Sequence, residues 1–165
     1  MAHRLRDKEH TKCAIPHGHN EFVQVKLSAL ETVSLDGKAN MVLPFAQLKK
    51  RWHAFVDGYL DHSLHLGLDD PLIDYFKEKE PERLSQVLVT PGDPTTEMLC
   101  FVLASKCQAY LADEDLPFEL QEISIEETPT NKVYYKPSDR VQLIPDCTGW
   151  WFNRPDNSIN DFSNS

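Results

Sequence analysis

A thiol and two imidazoles stand within seven residues in Cys13-Ala14-Ile15-Pro16-His17-Gly18-His19. If His17 to His19 is extended, both rings point to one face, because strand side chains alternate with period two. Paired neutral imidazoles suit zinc, which keeps one coordination position open when it is catalytic. Two roles stay open for Cys13. It is a third ligand, or a thiolate whose pKa a nearby cation lowers until it serves as base or nucleophile at neutral pH. His3, in Ala2-His3-Arg4-Leu5, is the nearest further imidazole if the N-terminus folds back beside the strand.

Two other groups bear on the same chemistry. In Asp61-His62 a carboxylate can fix the imidazole tautomer and stabilise its protonated form, which makes a proton relay. Glu127 is a carboxylate that could accept paired N–H donors from a planar heterocycle. Each feature has a plainer counterpart: a polar strand face, a buried thiol (the reading for Cys100 and Cys107), a chance Asp-His neighbour, a solvated turn carboxylate. His53 and His10 are read as a helix surface position and a solvated loop.

The elements that must position these groups follow from the pattern of apolar residues. Val23, Val25 and Leu27 alternate with Gln24 and Lys26, a half-buried strand over 22–30. Leu35-Asp36-Gly37-Lys38 reads as a turn and Met41-Val42-Leu43 as a second short strand. Pro44 suits the first turn of a helix, and Phe45, Leu48, Trp52, Phe55, Val56 and Tyr59 extend it to about Tyr59 along one stripe. Residues 69–93 are charged, with a short apolar stretch at Leu72 to Phe76. Thr95 or Thr96 then caps a helix with Glu97 in its first turn, and Met98 to Leu111 is apolar nearly all round. Phe118 to Ile125 and Lys132 to Tyr135 form an antiparallel pair joined by 126–131, the turn that carries Glu127. The order of elements is α+β, helices on one face of an antiparallel sheet.

Val141-Gln142-Leu143 could add a strand, and Trp150-Trp151-Phe152 is an aromatic knot that either caps the core or mediates assembly. Asn153 to Ser165 is rich in Asn, Asp and Ser and is expected to fray. The domain division is therefore 1–135 and a partly disordered extension over 136–165.

Composition narrows the function classes. The 165 residues, 41% of them hydrophobic, can bury one ordinary core. A net charge of −9 argues against nucleic acid as a partner, which needs clustered Lys and Arg. No apolar run approaches the ~20 residues that span a bilayer, so no membrane partner is expected. Four irregularly spaced cysteines look like reduced thiols, which points to the cytoplasm.

Taken in order, Ala2-His3-Arg4-Leu5, Cys13-x-x-x-His17-Gly18-His19, Pro44-Phe45-Ala46-Gln47-Leu48-Lys49, Leu60-Asp61-His62, Pro94-Thr95-Thr96-Glu97 and Glu126-Glu127-Thr128 resemble the 6-pyruvoyl-tetrahydropterin synthase / 6-carboxy-tetrahydropterin synthase family. The resemblance covers roughly residues 2 to 135. Three residues between Cys13 and His17 are similar to the bacterial 6-carboxy-tetrahydropterin synthases of the queuosine and 7-deazapurine pathways; animal pyruvoyl enzymes typically have five. The resemblance implies the tunnelling fold (T-fold), two long helices on an antiparallel sheet, in a trimer or hexamer with sites at subunit interfaces. It implies Zn2+ held by His3, His17 and His19, Cys13 as the proton-abstracting base, and Asp61 with His62 as a second relay. Glu127 would anchor the pterin, with Thr95 and Thr96 beside it. The implied substrate is 7,8-dihydroneopterin triphosphate, and the product 6-carboxy-5,6,7,8-tetrahydropterin, with loss of acetaldehyde and triphosphate. The alternatives are the pyruvoyl reaction and a pterin-binding homologue without turnover. Family members usually have a full strand before the Ala-His element, where Met1 stands here; Val141 to Ile144 is a candidate for that sheet edge.

Overall fold

A computed structural model describes residues 1–7, 11–139, 141 and 146–162. His10 and residues 142–144 of the possible added strand lie outside the described residues.

The expected antiparallel sheet is present. Strand β3 (Phe22–Ala29) pairs with β6 (Phe118–Thr128), and β6 pairs with β7 (Asn131–Tyr135). Helix α3 (Thr96–Asp113) lies on this sheet, and α1 (Phe45–Phe55) packs beside it through a Phe55–Tyr110 ring contact at 5.7 Å. Leu99, Val102 and Leu103 of α3 interlock with Ile123 and Ile125 of β6 in the main core. The fold is α+β, with the antiparallel sheet and packed helices of the tunnelling fold.

The sequence signals set the helix ends. Pro44 stands at the start of α1, where its missing N–H costs nothing. The helix runs on into a wider turn, Val56–Leu60, in which Asp61 N–H donates to the Val56 carbonyl at 2.8 Å. At α3, Thr95 is the cap, its hydroxyl accepting from Met98 N–H at 3.3 Å.

A second, smaller sheet was not expected. It has the order β2-β1-β4-β5, with β1 Ala2–His3, β2 His17–Gly18, β4 Leu64–Gly67 and β5 Val87–Thr90. The β1–β4 and β4–β5 pairs are parallel, and between the last two lies α2 (Pro71–Lys79), capped by the Asp70 carboxylate on Leu72 N–H. The 69–93 segment is therefore a βαβ connection whose strand β5 is fully buried. Gly67 is required where β4 ends: a Cβ there would meet the Gly92 carbonyl oxygen at 2.8 Å.

Three expectations need correction. Met41-Val42-Leu43 forms no strand; it belongs to an irregular connection between β3 and α1. Glu127 is not in a turn but on β6, which reaches Thr128. Residues 153–162 do not fray: Ile159 and Asn160 are buried, as are Trp151 and Phe152 ahead of them. Their Asn, Asp and Ser side chains make bonds both within the segment and to β5 and the turn before it. Arg154 donates to Asp161 at 2.6 Å and to Ser158 at 3.0 Å, and Asn160 donates to the Leu84 and Val87 carbonyls. The aromatic knot is part of the core, with Trp151 Nε1–H donating to the Val89 carbonyl at 2.7 Å.

Candidate metal centre

The small sheet exists at the site mainly to bring three imidazoles together. Across the antiparallel β1–β2 pair His3 lies opposite His17, and His19, two residues on, shares its face. Met1 and His19 exchange backbone bonds at 3.1 and 3.2 Å, which extends the ladder by one step. Gly18 keeps the strands close, since a Cβ there would lie 3.1 Å from the Met1 carbonyl oxygen.

The resulting ring centroids are 4.6, 5.0 and 5.2 Å apart. One donor atom from each ring lies within 4.8 Å of the other two. Among the described residues this is the only group of three or more His, Cys, Asp or Glu that converges so closely.

Hydrogen bonds fix the direction of the lone pairs. His3 Nδ1–H donates to the Pro94 carbonyl at 3.0 Å, and His17 Nδ1–H to the Ile15 carbonyl at 2.9 Å. That tautomer leaves both Nε2 atoms as acceptors, and they face each other at 3.2 Å. Two lone pairs at this distance repel unless a cation sits between them. A backbone carbonyl orienting the far nitrogen is the arrangement that metal-bound imidazoles need. Burial, foremost, and the neighbouring rings of His17 and His19 keep His3 below the usual histidine range, against the pull of the Pro94 carbonyl and Glu127. The ring therefore stays neutral and able to ligate. The donor set fits zinc.

The N-terminal segment is held firmly for a chain end. His3 is 3% exposed. Arg4 makes a two-point ion pair with Asp70, with Nε at 2.7 Å, and the Asp93 carboxylate accepts the backbone N–H of Arg6 and Asp7.

A cavity of about 640 Å3 opens over the imidazoles. Cys13, Thr95, Thr96 and Glu127 line it together with His3, His17 and His19. Cys13 sits in a short helical turn, Thr11–Ala14, tied down by Leu5 N–H on its carbonyl at 2.8 Å. Seven of the nine expected site residues thus share one cavity.

Asp61 and His62 do not join them. The pair is formed, with His62 Nδ1 at 2.9 Å from the Asp61 carboxylate. It is exposed, however, and lines a separate concavity with Met1, Gly18, His19 and Asn20. His62 holds a left-handed backbone conformation, φ 61°.

Glu97, read from the sequence only as a first-turn residue of the helix, also lines the cavity, and a further carboxyl beside Glu127 was not anticipated. Glu21 immediately precedes β3, whose first pair is Phe22 opposite Glu126, and lies close enough to feel the charge of Glu127. Burial, then the charge of Glu127, pushes the Glu21 carboxyl up to about 7, and its Oε1 is buried with no hydrogen-bond partner. The departure from alternation at Glu21-Phe22 was the available signal. Buried His65, behind His3 in the β1–β4 register, also went unread; desolvation takes its pKa down to about 3, so it remains neutral. A larger cavity of about 880 Å3 lies between β3, α1 and the 30–44 connection, but its lining is mostly apolar and brings no such donor set together.

A family model described as 6-pyruvoyl tetrahydropterin synthase matches residues 1–138. No curated protein matches. Among solved structures, the Caenorhabditis elegans 6-pyruvoyl tetrahydropterin synthase is similar at 28% identity and a TM-score of 0.52, over 83% of this chain and 88% of its own. An uncharacterised protein from Wolinella succinogenes shares the fold at 21% identity and TM-score 0.61, over 82% and 92% of the two chains. A catalytic-residue mutant of Plasmodium vivax 6-pyruvoyltetrahydropterin synthase does so at 19% and 0.54, over 81% and 87%.

Proposed function

The chain belongs to the 6-pyruvoyl tetrahydropterin synthase family, and from that premise we propose that it is a zinc-dependent lyase acting on 7,8-dihydroneopterin triphosphate. The reading favours uptake of one water and release of acetaldehyde and triphosphate to give 6-carboxy-5,6,7,8-tetrahydropterin, a step toward 7-deazapurines such as queuosine. The three-residue gap between Cys13 and His17 supports the carboxy product over the pyruvoyl one.

One observation carries the reading. Three imidazoles converge, with the Nε2 atoms of His3 and His17 facing each other at 3.2 Å, in a cavity that also holds a thiol, two threonines and the carboxylate of Glu127. His3, His17 and His19 would hold Zn2+, which when bound supplies Lewis acidity toward oxygens of the substrate side chain. Cys13, on the cavity wall, would take a proton from the side-chain carbon. Glu127 would accept the N–H edge of the pterin, with Thr95 and Thr96 orienting the ring. Asp61 holds His62 at Nδ1, leaving Nε2 to pass a proton. Because that pair faces solvent away from the cavity, it would act in the site of a neighbouring subunit in a trimer or hexamer. All four cysteines are unpaired, which suits a reducing cytoplasm.

The test is chromatography of the products formed from 7,8-dihydroneopterin triphosphate by metal-loaded protein. The carboxy product is expected, a pyruvoyl product would select the alternative reaction, and binding without turnover would leave a pterin-binding homologue. Cys13→Ala should keep about one zinc per chain, the stoichiometry of a single catalytic site, while losing turnover. If it loses the metal, the thiol is a ligand and not the base.

A further inference from the structure

We propose that Glu127 is the fourth ligand of the centre when no substrate is bound, and that it gives up that position when a substrate oxygen arrives. The proposal rests on the metal reading above and assigns Glu127 a place in the resting site besides its role toward the pterin.

The geometry begins with the backbone. The β6–β7 pairing is irregular between Glu126 and Thr128. A bulge places two residues against one partner and re-aims a side chain, and bulges gather beside active sites for that reason. Here the two successive glutamates diverge. Glu126 pairs with Lys132 at 3.9 Å on the outer surface, while Glu127 turns toward the imidazoles.

The carboxylate of Glu127 arrives at ligand spacing. Its Oε1 lies 3.9 Å from His3 Nε2 and 3.8 Å from His19 Nε2. Zinc bonds of about 2.0–2.2 Å in a tetrahedron separate neighbouring donor atoms by roughly 3.3–3.6 Å. The His3–His17 separation of 3.2 Å falls at that edge length, and the carboxylate's separations from His3 and His19 exceed it by only a few tenths of an ångström. Glu127 stands farther from His17, outside the set of donors that lie within 4.8 Å of one another, so ligation requires its side chain to swing toward that ring.

A second carboxyl stands nearby. Glu21, just ahead of β3, has an oxygen with no hydrogen-bond partner, and its charge and that of Glu127 oppose each other. A cation held by the imidazoles would offset both. A purely pterin-binding carboxylate would have no need to stand against two metal ligands before the pterin arrives.

Cobalt(II) in place of zinc reports ligand number and type through its visible absorption, and no substrate is required. Wild type, Glu127→Gln and Glu127→Ala are to be compared in that form, with zinc affinity measured by chelator competition and folding checked by urea denaturation. Folded Glu127 variants are expected to show altered cobalt spectra and zinc affinity lower by about tenfold or more. Adding 7,8-dihydroneopterin to the wild type should move its spectrum in the same direction as Glu127→Ala. Spectra that superimpose on the wild type with unchanged zinc affinity would overturn the proposal and leave the three-histidine centre standing. If His17→Ala and His19→Ala also retain the metal, the centre itself fails, and with it the functional reading.

Discussion

Two groups of converging polar atoms in this chain meet opposite needs. At Lys106 the carbonyl oxygens of Trp151, Arg154 and Asp156 converge at 2.7, 2.9 and 2.7 Å on an ammonium that the chain supplies. At the N-terminal sheet three imidazole nitrogens converge with no ammonium or guanidinium among them, a group that could hold a metal ion. Lys106 is completely buried, its three N–H donors are all used, and the rings of Phe55, Tyr110 and Trp151 stand 5.3–5.6 Å away. Burial takes its pKa down to about 8, with Asp156 opposing, so it is charged at neutral pH. One cluster closes on itself and holds the fold together. The other is left open, and an open donor set is what a binding site requires.

The contrast predicts where stability should fail first. Lys106→Met keeps most of the side-chain volume and leaves the Arg154 carbonyl without this partner. It should cost about 3–5 kcal/mol, the scale for breaking a buried charged arrangement, read as a fall in the urea midpoint. Residues 146–162 should become protease-sensitive in the same variant. A loss under about 1 kcal/mol, the typical net worth of one hydrogen bond, would show that the aromatic packing alone secures this segment.

If the open cluster binds zinc as proposed, it should respond to added zinc and hardly at all to losing one imidazole in metal-free protein. Zinc at a hundredfold over its dissociation constant should stabilise the wild type by about 2.7 kcal/mol. His17→Ala should lose that increment, yet match or exceed the metal-free wild type, because the substitution removes one of two facing lone pairs. Thermal melts with and without zinc decide the point. Equal zinc stabilisation of both proteins would mean that the imidazoles are ordinary packing.

The same contrast explains how much could be read beforehand. His17 and His19 were legible because alternation is local, and Thr95 because cap chemistry is local. His3 was legible as a candidate only on the condition that the N-terminus folds back, and as a ligand only through the family resemblance: its position depends on β1 pairing with both β2 and β4, more than sixty residues apart in the second case. Strands β4 and β5 were missed because buried parallel strands lack alternation, and charged residues of the intervening helix masked them. The 153–162 segment was misread from composition. Asn, Asp and Ser signal disorder when solvated, but here they satisfy Arg154 and the Leu84 and Val87 carbonyls. Lys106 was passed over inside an apolar helix, although an ammonium there demands partners from outside the helix. Glu127 was seen as a carboxylate but not as one that a bulge had aimed.

Asp61–His62 belongs to neither kind of cluster, and its response should be the smallest in stability. The pair is exposed, yet His62 is held at φ 61°, a conformation that costs a side-chain-bearing residue about 1–2 kcal/mol. The conformation belongs to a tight turn, Leu60–Ser63, closed by Ser63 N–H on the Leu60 carbonyl at 3.2 Å, and glycine adopts it more readily than histidine. His62→Gly should therefore raise folding stability by up to about 1 kcal/mol, seen as a higher urea midpoint, while turnover falls by about 10²–10⁴-fold. If the pair serves a neighbouring subunit, co-refolding His62→Gly with His17→Ala should restore part of the activity, since mixed assemblies contain some sites with both wild-type groups. Full activity in His62→Gly alone would remove the pair from the chemistry. Activity loss without recovery in the mixture would place the pair in the same subunit's reaction, brought to the cavity by movement of the 61–63 turn.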